Sequence, residues 1–253
     1  MNAALTAALS RHAPLTIAVS GGVDSMTLAH VAHSVLGERA RMVHAISPAV
    51  PPRATARVRD HGTRLGWRLD LVDAGEFDDP RYRANPVDRC YFCKTNLYGT
   101  IAGLTRGTIA SGTNVDDLDD FRPGLQAARQ WQVVHPYVEA GLAKAAIYAL
   151  ARELGLGDLA ELPAQPCLAS RVETGIAVNA EDLDFVDYVE TLLHADLGDA
   201  ATVRCRITHA GVIVETQGNA APASIAAACR ATGRVYLGHR PYRQGAAFLR
   251  AGA

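Results

Sequence analysis

The sequence predicts an α/β protein with a doubly wound parallel sheet, followed by a second, smaller α+β domain. Along the N-terminal part of the chain, short apolar runs alternate with longer helical patterns, which is typical of βαβ units. Further on, two strand patterns are joined by a short turn around a glycine, which favours an antiparallel pair. We therefore expect one domain at residues 1–165 and another at residues 166–253.

The N-terminal elements begin with an apolar, β-branched run that is typical of a buried parallel strand. The helix after it stops at Gly37 and repeats apolar residues at i, i+3, i+4 and i+7: Leu28, Val31, Ala32 and Val35. The predicted strands are 15–19, 41–47, 67–71 and 107–111, and the predicted helices are 26–36, 54–65, 91–104 and 142–154. Ligands of parallel sheets bind beyond the carboxyl ends of the strands, so residues 20–25, 47–48 and 111–114 are predicted to share one rim.

The C-terminal elements follow a loop at 155–177. Asn179 is predicted to cap a helix with an apolar stripe formed by Leu183, Val186, Val189, Leu192 and Leu193. The predicted strands are 202–207, 212–216 and 234–237, with a helix at 222–230.

Composition limits the kind of protein. The net charge of −1 argues against a nucleic-acid partner, which usually requires a basic surface. No apolar run is long enough to span a bilayer, and the first residues indicate a short helix in place of a signal peptide. We expect a cytoplasmic protein without a membrane partner. Five cysteines, an odd number, favour metal, cluster or catalytic use over a disulfide framework.

A glycine-rich turn joins the first predicted strand to its helix: Ser20-Gly21-Gly22-Val23-Asp24-Ser25. This arrangement directs backbone N–H groups at an anion, and the serines add hydroxyl donors. Asp24 is best explained as a ligand of a magnesium ion held by phosphates. A bare Gly-Gly turn is often only structural, but the full hexapeptide resembles the PP-loop of the ATP pyrophosphatase superfamily. Members of that superfamily split ATP between the α and β phosphates.

A second motif places Cys90 and Cys93 at the start of a predicted helix, where the helix dipole favours the thiolate. Zinc requires four ligands, and only Cys167 is a convincing third cysteine. Three thiolates suit a [4Fe–4S] cluster with one open iron, although the C-x-x-C pair can also lack a shared role. Cys205 and Cys229 are predicted to be structural.

Arg204 and Arg206 lie at i and i+2 of a predicted strand and therefore share one face. A pair of guanidinium groups suits a phosphate or carboxylate, and a solvated sheet face is the alternative. Ser170 and Arg171 are predicted to join the same anion site.

Polar residues also follow the fourth predicted strand. Asn114 and Asp117 suit polar or metal contacts at the sheet rim, or they serve only as caps and turns.

Taken together, the motifs resemble the LarE family of ATP-dependent sulfur transferases. They occur in the family's order over nearly the whole chain: SGGVDS, NPVDRCYFCK, SGTNVDD with DFRPGL, PCLASR and VRCR. The resemblance implies an N-terminal PP-loop ATPase domain, a smaller substrate-binding and sulfur-transfer domain, and a homo-oligomer. The implied substrate is pyridinium-3,5-biscarboxylic acid mononucleotide, on the route to a nickel-pincer cofactor. Each carboxylate is adenylylated by ATP with Mg²⁺ and converted to a thiocarboxylate.

The resemblance also implies site residues. ATP is expected at residues 20–25, and the mononucleotide phosphate at Arg204 and Arg206. Asp24, Cys167, Ser170 and Arg171 are expected to be catalytic. In one branch of the family the cysteine matching Cys167 gives up its own sulfur and becomes dehydroalanine. In the other branch, three cysteines hold a [4Fe–4S] cluster that carries a sulfide, and this chain resembles that branch through Cys90, Cys93 and Cys167.

Three other classes of protein are also compatible with the sequence. A tRNA-thiolating PP-loop enzyme combines this loop with cysteines but usually carries a basic surface. An amidating ligase of the NAD-synthetase kind uses the loop but needs no C-x-x-C. A nucleotide-binding module without catalytic activity is the third alternative.

Overall fold

A computed structural model describes residues 2–119, 122–163, 165–198, 201–217 and 223–242. Its contacts divide the chain into two compact units. The N-terminal unit comprises residues 1–76 and 90–162, and the C-terminal unit comprises residues 77–89 and 163–253. The segment 77–89 thus belongs to the C-terminal unit although it interrupts the N-terminal unit in sequence.

The elements of the described residues alternate as the sequence predicts. The strands are β1 (Leu15–Ala18), β2 (Ala40–Ala45), β3 (Arg68–Val72), β4 (Thr108–Ser111), β5 (Val203–Thr208), β6 (Gly211–Thr216) and β7 (Tyr236–Pro241). The helices are α1 (Ala3–Arg11), α2 (Val23–Leu36), α3 (Pro52–Leu65), α4 (Pro80–Arg83), α5 (Arg89–Leu104), α6 (Pro123–Gln130), α7 (Pro136–Glu139), α8 (Lys144–Glu153), α9 (Gly157–Ala160), α10 (Ala180–Leu197) and α11 (Ala223–Ala231). Short 3₁₀ turns lie at Gly37–Arg39, Val115–Leu118 and Leu168–Arg171.

The N-terminal unit is built on a four-stranded sheet of order β3-β2-β1-β4, and all its strands are parallel. β1 lies between two neighbours, with Leu15 paired to Ala40 on one side and to Thr108 on the other. The predicted α/β architecture with a parallel sheet is confirmed. The carboxyl ends of β1 and β4 therefore lie side by side, and the turns that follow them share one edge of the sheet.

Alternate strand residues enter two separate hydrophobic clusters. Ile17 and Met42 belong to the cluster that includes residues of α1, α2 and α8. Val43 and Ile109 belong to the cluster that includes residues of α5 and α6. Because successive strand residues point to opposite faces, both faces of the sheet are buried. Burial of each such side chain contributes about 1.5–3 kcal/mol, which makes the sheet a rigid support for its loops.

Helix α2 begins at Val23, three residues before the predicted start at Met26. Gly22 precedes it in an extended conformation, and Asp24 in the first turn is favoured by the helix dipole. The apolar repeat that marked the helix misses these polar residues. The earlier start puts Asp24 and Ser25 on the first helical turn.

Several short helices of the described residues were not predicted. Three of them carry proline at the first helical position, where its fixed φ suits the helix and its missing N–H costs nothing: α4, α6 and α7. None of the described helices is both long and apolar enough to cross a membrane.

The C-terminal unit contains a three-stranded sheet in which β5 pairs with β6 antiparallel and β6 pairs with β7 parallel. Asn179 caps α10 as predicted, since its Oδ1 accepts a hydrogen bond from the N–H of Asp182 at 2.8 Å. The predicted stripe is buried at Leu183, Val186, Val189 and Leu193 and half-buried at Leu192. Pro222, the predicted start of α11, lies outside the described residues.

Candidate functional site

The turn between β1 and α2 has the backbone of an anion-binding loop. Gly21 adopts a φ of +85°, and Gly22 is the extended N-cap of α2. The N–H groups of the first helical turn have no partner within the helix and carry the positive end of its dipole. The loop therefore has the local geometry that holds phosphate at a helix N-terminus.

Two serines close this loop on itself. The N–H of Ser20 donates to Ser25 Oγ at 3.0 Å, and the two hydroxyl oxygens are also 3.0 Å apart. Ser25 Oγ donates to the carbonyl of Gly22 at 3.2 Å. Among the residues that the structure describes, the N–H of Gly22 donates only to Ser20 Oγ, at a long 3.4 Å. A phosphate oxygen is a stronger acceptor and can replace that contact.

Neighbouring backbone lies directly against the loop at two glycines. A Cβ on Gly21 would lie 2.9 Å from the carbonyl oxygen of Ala54 in α3. A Cβ on Gly112, just after β4, would lie 2.8 Å from the backbone nitrogen of Ser25. Both positions require glycine, and the loop is consequently packed between α3 and the end of β4.

Asp24 places a half-buried carboxylate at the start of α2. Its Oδ1 is buried and has no hydrogen-bond partner among the described residues. Burial raises the pKa of Asp24; the charge of Lys144 partly offsets this, and the Asp117 carboxylate raises it further. An orphaned carboxylate oxygen is the kind of oxygen ligand that Mg²⁺ takes, so the donor set fits this ion.

Two residues near Asp24 were missed at the sequence level. Tyr137 is fully buried, and its hydroxyl donates to the backbone carbonyl of Asp24 at 3.0 Å. Burial and the charge of Asp24 raise the pKa of Tyr137 well above its usual value. Lys144 is the first residue of α8. A cation there opposes the helix dipole, and that local conflict is the signal by which sequence reasoning could have found it.

The loop after β4 forms a network of caps. Asn114 Oδ1 accepts from the N–H of Asp116 at 3.0 Å, and Asp117 Oδ2 accepts from the N–H of Asn114 at 3.2 Å. Asp117 also pairs with Arg122 at 2.6 Å. These contacts account for the capping alternative, while metal binding by Asn114 or Asp117 stays a prediction. Asp120 and Phe121 of the DFRPGL motif lie outside the described residues.

None of the five cysteines, all of which lie in the described part of the chain, forms a disulfide. Cys90 and Cys93 are half-buried on the first turn of α5, in the N-terminal unit. Cys167 is half-buried at the start of a 3₁₀ turn in the C-terminal unit. Cys205 and Cys229 are fully buried, as expected of structural residues. Within the residues that the structure describes, no group of three or more His, Cys, Asp or Glu side chains is arranged to hold a metal ion.

In the C-terminal unit, Arg171 forms a buried two-pronged ion pair with Glu190. The nitrogen–oxygen distances are 2.9 and 2.8 Å, and both side chains are 2% exposed. Glu190 Oε1 also accepts from the N–H of Cys205 at 2.9 Å. Burial opposes ionisation of Glu190, but the Arg171 guanidinium outweighs it and lowers the pKa of this carboxyl. Arg171 further donates to Ser170 Oγ at 3.0 Å and to the Cys167 carbonyl at 3.2 Å.

Arg206 is held in a second buried ion pair. It donates to Glu215 Oε2 at 2.9 Å and to the carbonyl of Ser170 at 2.9 Å. Glu215 is fully buried and also accepts from Arg240 at 2.7 Å. The structure therefore brings Arg206 to the backbone of Ser170 within this unit, while an anion site shared by these residues stays a prediction.

Arg204 is a further buried arginine of this unit. It is 6% exposed and donates to the carbonyl of Val203 at 2.7 Å, with its guanidinium 5.4 Å from the ring centre of Tyr242. Burial and then the charge of Arg171 lower the pKa of Arg204 to about 10. Since Arg206 is only 8% exposed, the pair does not form a solvated sheet face.

Two of the buried arginines are paired within the unit, Arg171 with Glu190 and Arg206 with Glu215. Arg240, whose side chain is 48% exposed, also pairs with Glu215. Guanidinium groups suit phosphate, and phosphate binding by Arg204 and Arg206 stays a prediction.

Comparison with known proteins supplies the family. No protein-family model matches the chain. The chain is 28% identical over 209 residues to the pyridinium-3,5-bisthiocarboxylic acid mononucleotide synthase of Lactiplantibacillus plantarum, covering 81% of this chain and 75% of that protein. It is 24% identical over 194 residues to the uncharacterized protein MJ0830 of Methanocaldococcus jannaschii, covering 75% and 73%. With the uncharacterized protein slr1717 of Synechocystis sp. it shares 38% identity over 181 residues, covering 70% and 67%. The chain therefore belongs to the same family as slr1717, and the synthase is its more distant homologue.

Proposed function

We propose that this protein is an ATP-dependent sulfur transferase of the LarE kind. It adenylylates a carboxylate of pyridinium-3,5-biscarboxylic acid mononucleotide and replaces it with a thiocarboxylate, for a nickel-pincer cofactor. The name of the distant Lactiplantibacillus plantarum homologue supports the substrate class. The observation that carries the proposal is Asp24 beside the phosphate-type loop: its Oδ1 is buried and has no hydrogen-bond partner within the described part of the chain. A doubly wound sheet, a cytoplasmic location and a homo-oligomer belong to the same proposal.

The first half of the reaction gives the substrate carboxylate a leaving group. A carboxylate is a poor electrophile, so its oxygen attacks the α phosphorus of ATP and pyrophosphate departs, which leaves an acyl adenylate. The N–H groups at the start of α2 and the hydroxyls of Ser20 and Ser25 are placed to bind the departing pyrophosphate. Lys144 and Arg122, whose charges act on Asp24, add positive potential at the same place.

A magnesium ion fits Asp24. The carboxylate offers an oxygen without a hydrogen-bond partner, and Asp117 supplies a second carboxylate whose charge acts on it. When bound, Mg²⁺ would neutralise phosphate charge as the α–β bond breaks. Burial raises the pKa of Asp24, so binding the dication also relieves the cost of an ionised carboxylate there.

The second half of the reaction delivers sulfur to the activated acyl carbon. A sulfur nucleophile attacks that carbon and AMP leaves, which forms the thiocarboxylate. Cys90 and Cys93 are half-buried thiols at a helix start. Thiolates are the usual ligands of iron–sulfur clusters, so these two cysteines and Cys167 would be the ligands of a [4Fe–4S] cluster. When bound, the cluster would supply a sulfide. The alternative is that the Cys167 thiolate attacks and displaces AMP to give a thioester. Loss of the Cα proton and cleavage of the Cβ–S bond would then release the thiocarboxylate and leave dehydroalanine at position 167.

The phosphate of the mononucleotide is assigned to the arginine cluster of the C-terminal unit. Arg204 is the principal candidate, because burial and the charge of Arg171 disfavour its charged form and lower its pKa to about 10. A bound phosphate would stabilise the charged guanidinium. We expect Arg204→Ala to weaken mononucleotide binding by about 1.5–3 kcal/mol, while Arg230→Ala, on the exposed side of α11, changes it little.

Product analysis tests the adenylylation. The protein, ATP, Mg²⁺ and the mononucleotide should yield AMP and pyrophosphate in step with consumption of the carboxylate. Asp24→Asn should lower this rate at least about 100-fold, because the metal ligand is lost. The control Asp60→Asn removes an exposed carboxylate on α3 and should leave the rate unchanged. ADP and phosphate as products would overturn the assignment.

Mass spectrometry separates the two sulfur sources. If Cys167 donates its own sulfur, the protein loses the mass of one hydrogen sulfide after a single turnover. If a [4Fe–4S] cluster supplies the sulfide, Cys90→Ala and Cys93→Ala should both lose the multiple-turnover activity that added sulfide supports. The control Cys229→Ala should keep that activity. Full multiple-turnover activity in both variants would remove the cluster from the proposal.

A further inference from the structure

Arg57 of α3 holds the peptide that joins the two loop glycines. Its Nη1 donates to the carbonyl oxygen of Gly21 at 2.7 Å. In a planar trans peptide, the carbonyl and the following N–H point in opposite directions. The contact that fixes the Gly21 oxygen toward α3 therefore fixes the Gly22 N–H on the opposite side, at the N-cap of α2.

The peptide between two glycines rotates more easily than peptides between other residues, so its orientation depends on contacts such as the one with Arg57. Neither residue has a Cβ, so the plane between them can rotate at little steric cost. A rotated peptide would turn the Gly21 carbonyl, an acceptor, toward an incoming phosphate. In the structure the N–H of Gly22 is instead available, with only its long 3.4 Å contact to Ser20 Oγ.

The same helix also anchors the strand end before the loop. His44 is buried, and its Nδ1 lies 2.8 Å from the carbonyl oxygen of Val19 while its Nε2 lies 2.9 Å from Thr55 Oγ1. A carbonyl can only accept, so Nδ1 carries the proton and Nε2 accepts from the Thr55 hydroxyl. Val19 and Gly21, on either side of Ser20, are thus both tied to α3.

Close packing completes this support. A Cβ on Gly21 would lie 2.9 Å from the Ala54 carbonyl oxygen, so the loop backbone rests directly on α3. Ala54 and Arg57 are three residues apart and share one face of the helix. Helix α3 therefore packs against Gly21 through Ala54 and binds its carbonyl oxygen through Arg57.

We propose that Arg57 is a positioning residue for the phosphate loop, which sets the Gly21–Gly22 peptide in its anion-binding orientation before a nucleotide arrives. The inference rests on the proposed function, since the anion is the pyrophosphate part of ATP. Arg57 is proposed to act through this peptide, whose carbonyl oxygen it binds. Because the donor groups are ordered in advance, binding does not have to restrain the peptide.

Pyrophosphate binding tests the proposal directly. Titration calorimetry of the full chain with inorganic pyrophosphate and Mg²⁺ compares wild type, Arg57→Gln and Arg59→Gln. Arg59 is exposed on the same helix, so its variant removes an equal charge without touching the loop. We expect Arg57→Gln to weaken binding about tenfold or more and Arg59→Gln to stay within about twofold. Equal affinities of the two variants would overturn the role of Arg57 and leave the proposed function intact.

Hydrogen exchange in the ligand-free protein supplies a measurement that needs no ligand. Amides of residues 20–26 should exchange faster in Arg57→Gln than in Arg59→Gln, and Arg57→Lys should restore part of the protection because lysine keeps a donor. Wild-type protein that binds neither pyrophosphate nor ATP would overturn the proposed function, and the exchange rates would still decide on Arg57. Unchanged exchange across the three variants would overturn the inference.

Discussion

Two carboxylates withdrawn from water, Asp24 in the N-terminal unit and Glu190 in the C-terminal unit, have opposite pKa shifts. Burial acts on both in the same direction, against the charged form. For Glu190 the paired Arg171 outweighs burial and lowers the pKa. For Asp24 burial prevails and raises the pKa, and one oxygen has no hydrogen-bond partner among the described residues.

This difference separates a structural charge from a functional one. The folded chain provides Glu190 with three hydrogen bonds of 2.8–2.9 Å, so its ionised form stabilises the fold. The ionised form of Asp24 is destabilising until something outside the chain arrives. Unsatisfied buried charges are typical of positions where a bound ligand supplies the missing partner. Asp24 therefore indicates a ligand-binding site more clearly than the paired Glu190 does.

Breaking the paired carboxylate should have the largest effect. Glu190→Gln leaves the Arg171 guanidinium buried beside a neutral amide, and we expect a loss of about 3–5 kcal/mol in the free energy of unfolding. Circular dichroism during urea unfolding measures this loss. Trp67 and Trp131, the two tryptophans of the chain, both lie in the N-terminal unit, so their fluorescence reports that unit separately. Asp184→Asn, exposed on the same helix, should change the stability by less than about 0.5 kcal/mol.

The same pair predicts a pH dependence with a definite sign. The pKa of Glu190 is lowered from 4.5, so its contribution is present above that value and is lost as pH falls through the lower folded pKa. Wild type should therefore lose stability over that acid range more steeply than Glu190→Gln. If the free energy of unfolding depends on pH in the same way in both proteins, the ion pair makes no net contribution to stability.

The two loop glycines should respond differently to an added methyl group. Gly21→Ala places a Cβ at a φ of +85° and 2.9 Å from a backbone oxygen, and we expect it to cost about 1–3 kcal/mol and to abolish pyrophosphate binding. Gly22 has a φ of −86°, which any residue can adopt, and a Cβ added there would lie 3.6 Å from its nearest neighbour, Ser20 Oγ. Gly22→Ala should fold normally and lose binding only. Equal stability of the two variants would contradict the close packing of the loop on α3.

Sequence reasoning predicted the loop and its supports because their signals are local. An apolar strand, a glycine pair and an amphipathic helix are adjacent in the chain, and the period of the apolar residues is read directly. The start of α2 was misplaced because polar residues such as Asp24 and Ser25 carry no apolar period. Lys144 carried a signal, its conflict with the helix dipole, that the periodicity does not record.

Long-range pairing explains most of the features that could not be predicted from the sequence. The alternation of β5 predicts that Arg204 and Arg206 share a face, but burial of that face depends on partners such as Glu215, which belongs to another strand. Arg171 and Glu190 are likewise distant in sequence. Residues 77–89 pack with the C-terminal unit, and no local sequence pattern indicates this.

Removing the unsatisfied charge should have the opposite sign from removing the paired one. Asp24→Asn replaces a desolvated carboxylate by a neutral amide of equal size, and we expect the ligand-free protein to gain about 0.5–1 kcal/mol at neutral pH. Thermal unfolding followed by tryptophan fluorescence measures the gain. The variant should also lose Mg²⁺-dependent pyrophosphate binding. A loss of stability in Asp24→Asn would mean that the carboxylate is satisfied within the fold.

The pH profile of that gain follows from the raised pKa. A protonated Asp24 is neutral, as asparagine is, so the difference between the two proteins should shrink as pH falls below the folded pKa of Asp24 and vanish below the ordinary value of 3.8. It should grow as pH rises from the ordinary value of 3.8 through that raised pKa. A difference that is constant across this range would assign the gain to packing instead of charge.

The smallest expected effect is the coupling between Asp24 and Asp117. The charge of Asp117 raises the pKa of Asp24, so ionised Asp24 is less unfavourable in Asp117→Asn, and Asp24→Asn should then gain less stability. Asp117→Asn alone also weakens the pair with Arg122 and the cap on the Asn114 N–H, but a double-mutant cycle subtracts those losses. We expect a coupling of about 0.5 kcal/mol near neutral pH, vanishing when Asp24 is protonated. A coupling of zero at neutral pH would separate the two carboxylates, and Asp117 would then act only as a cap.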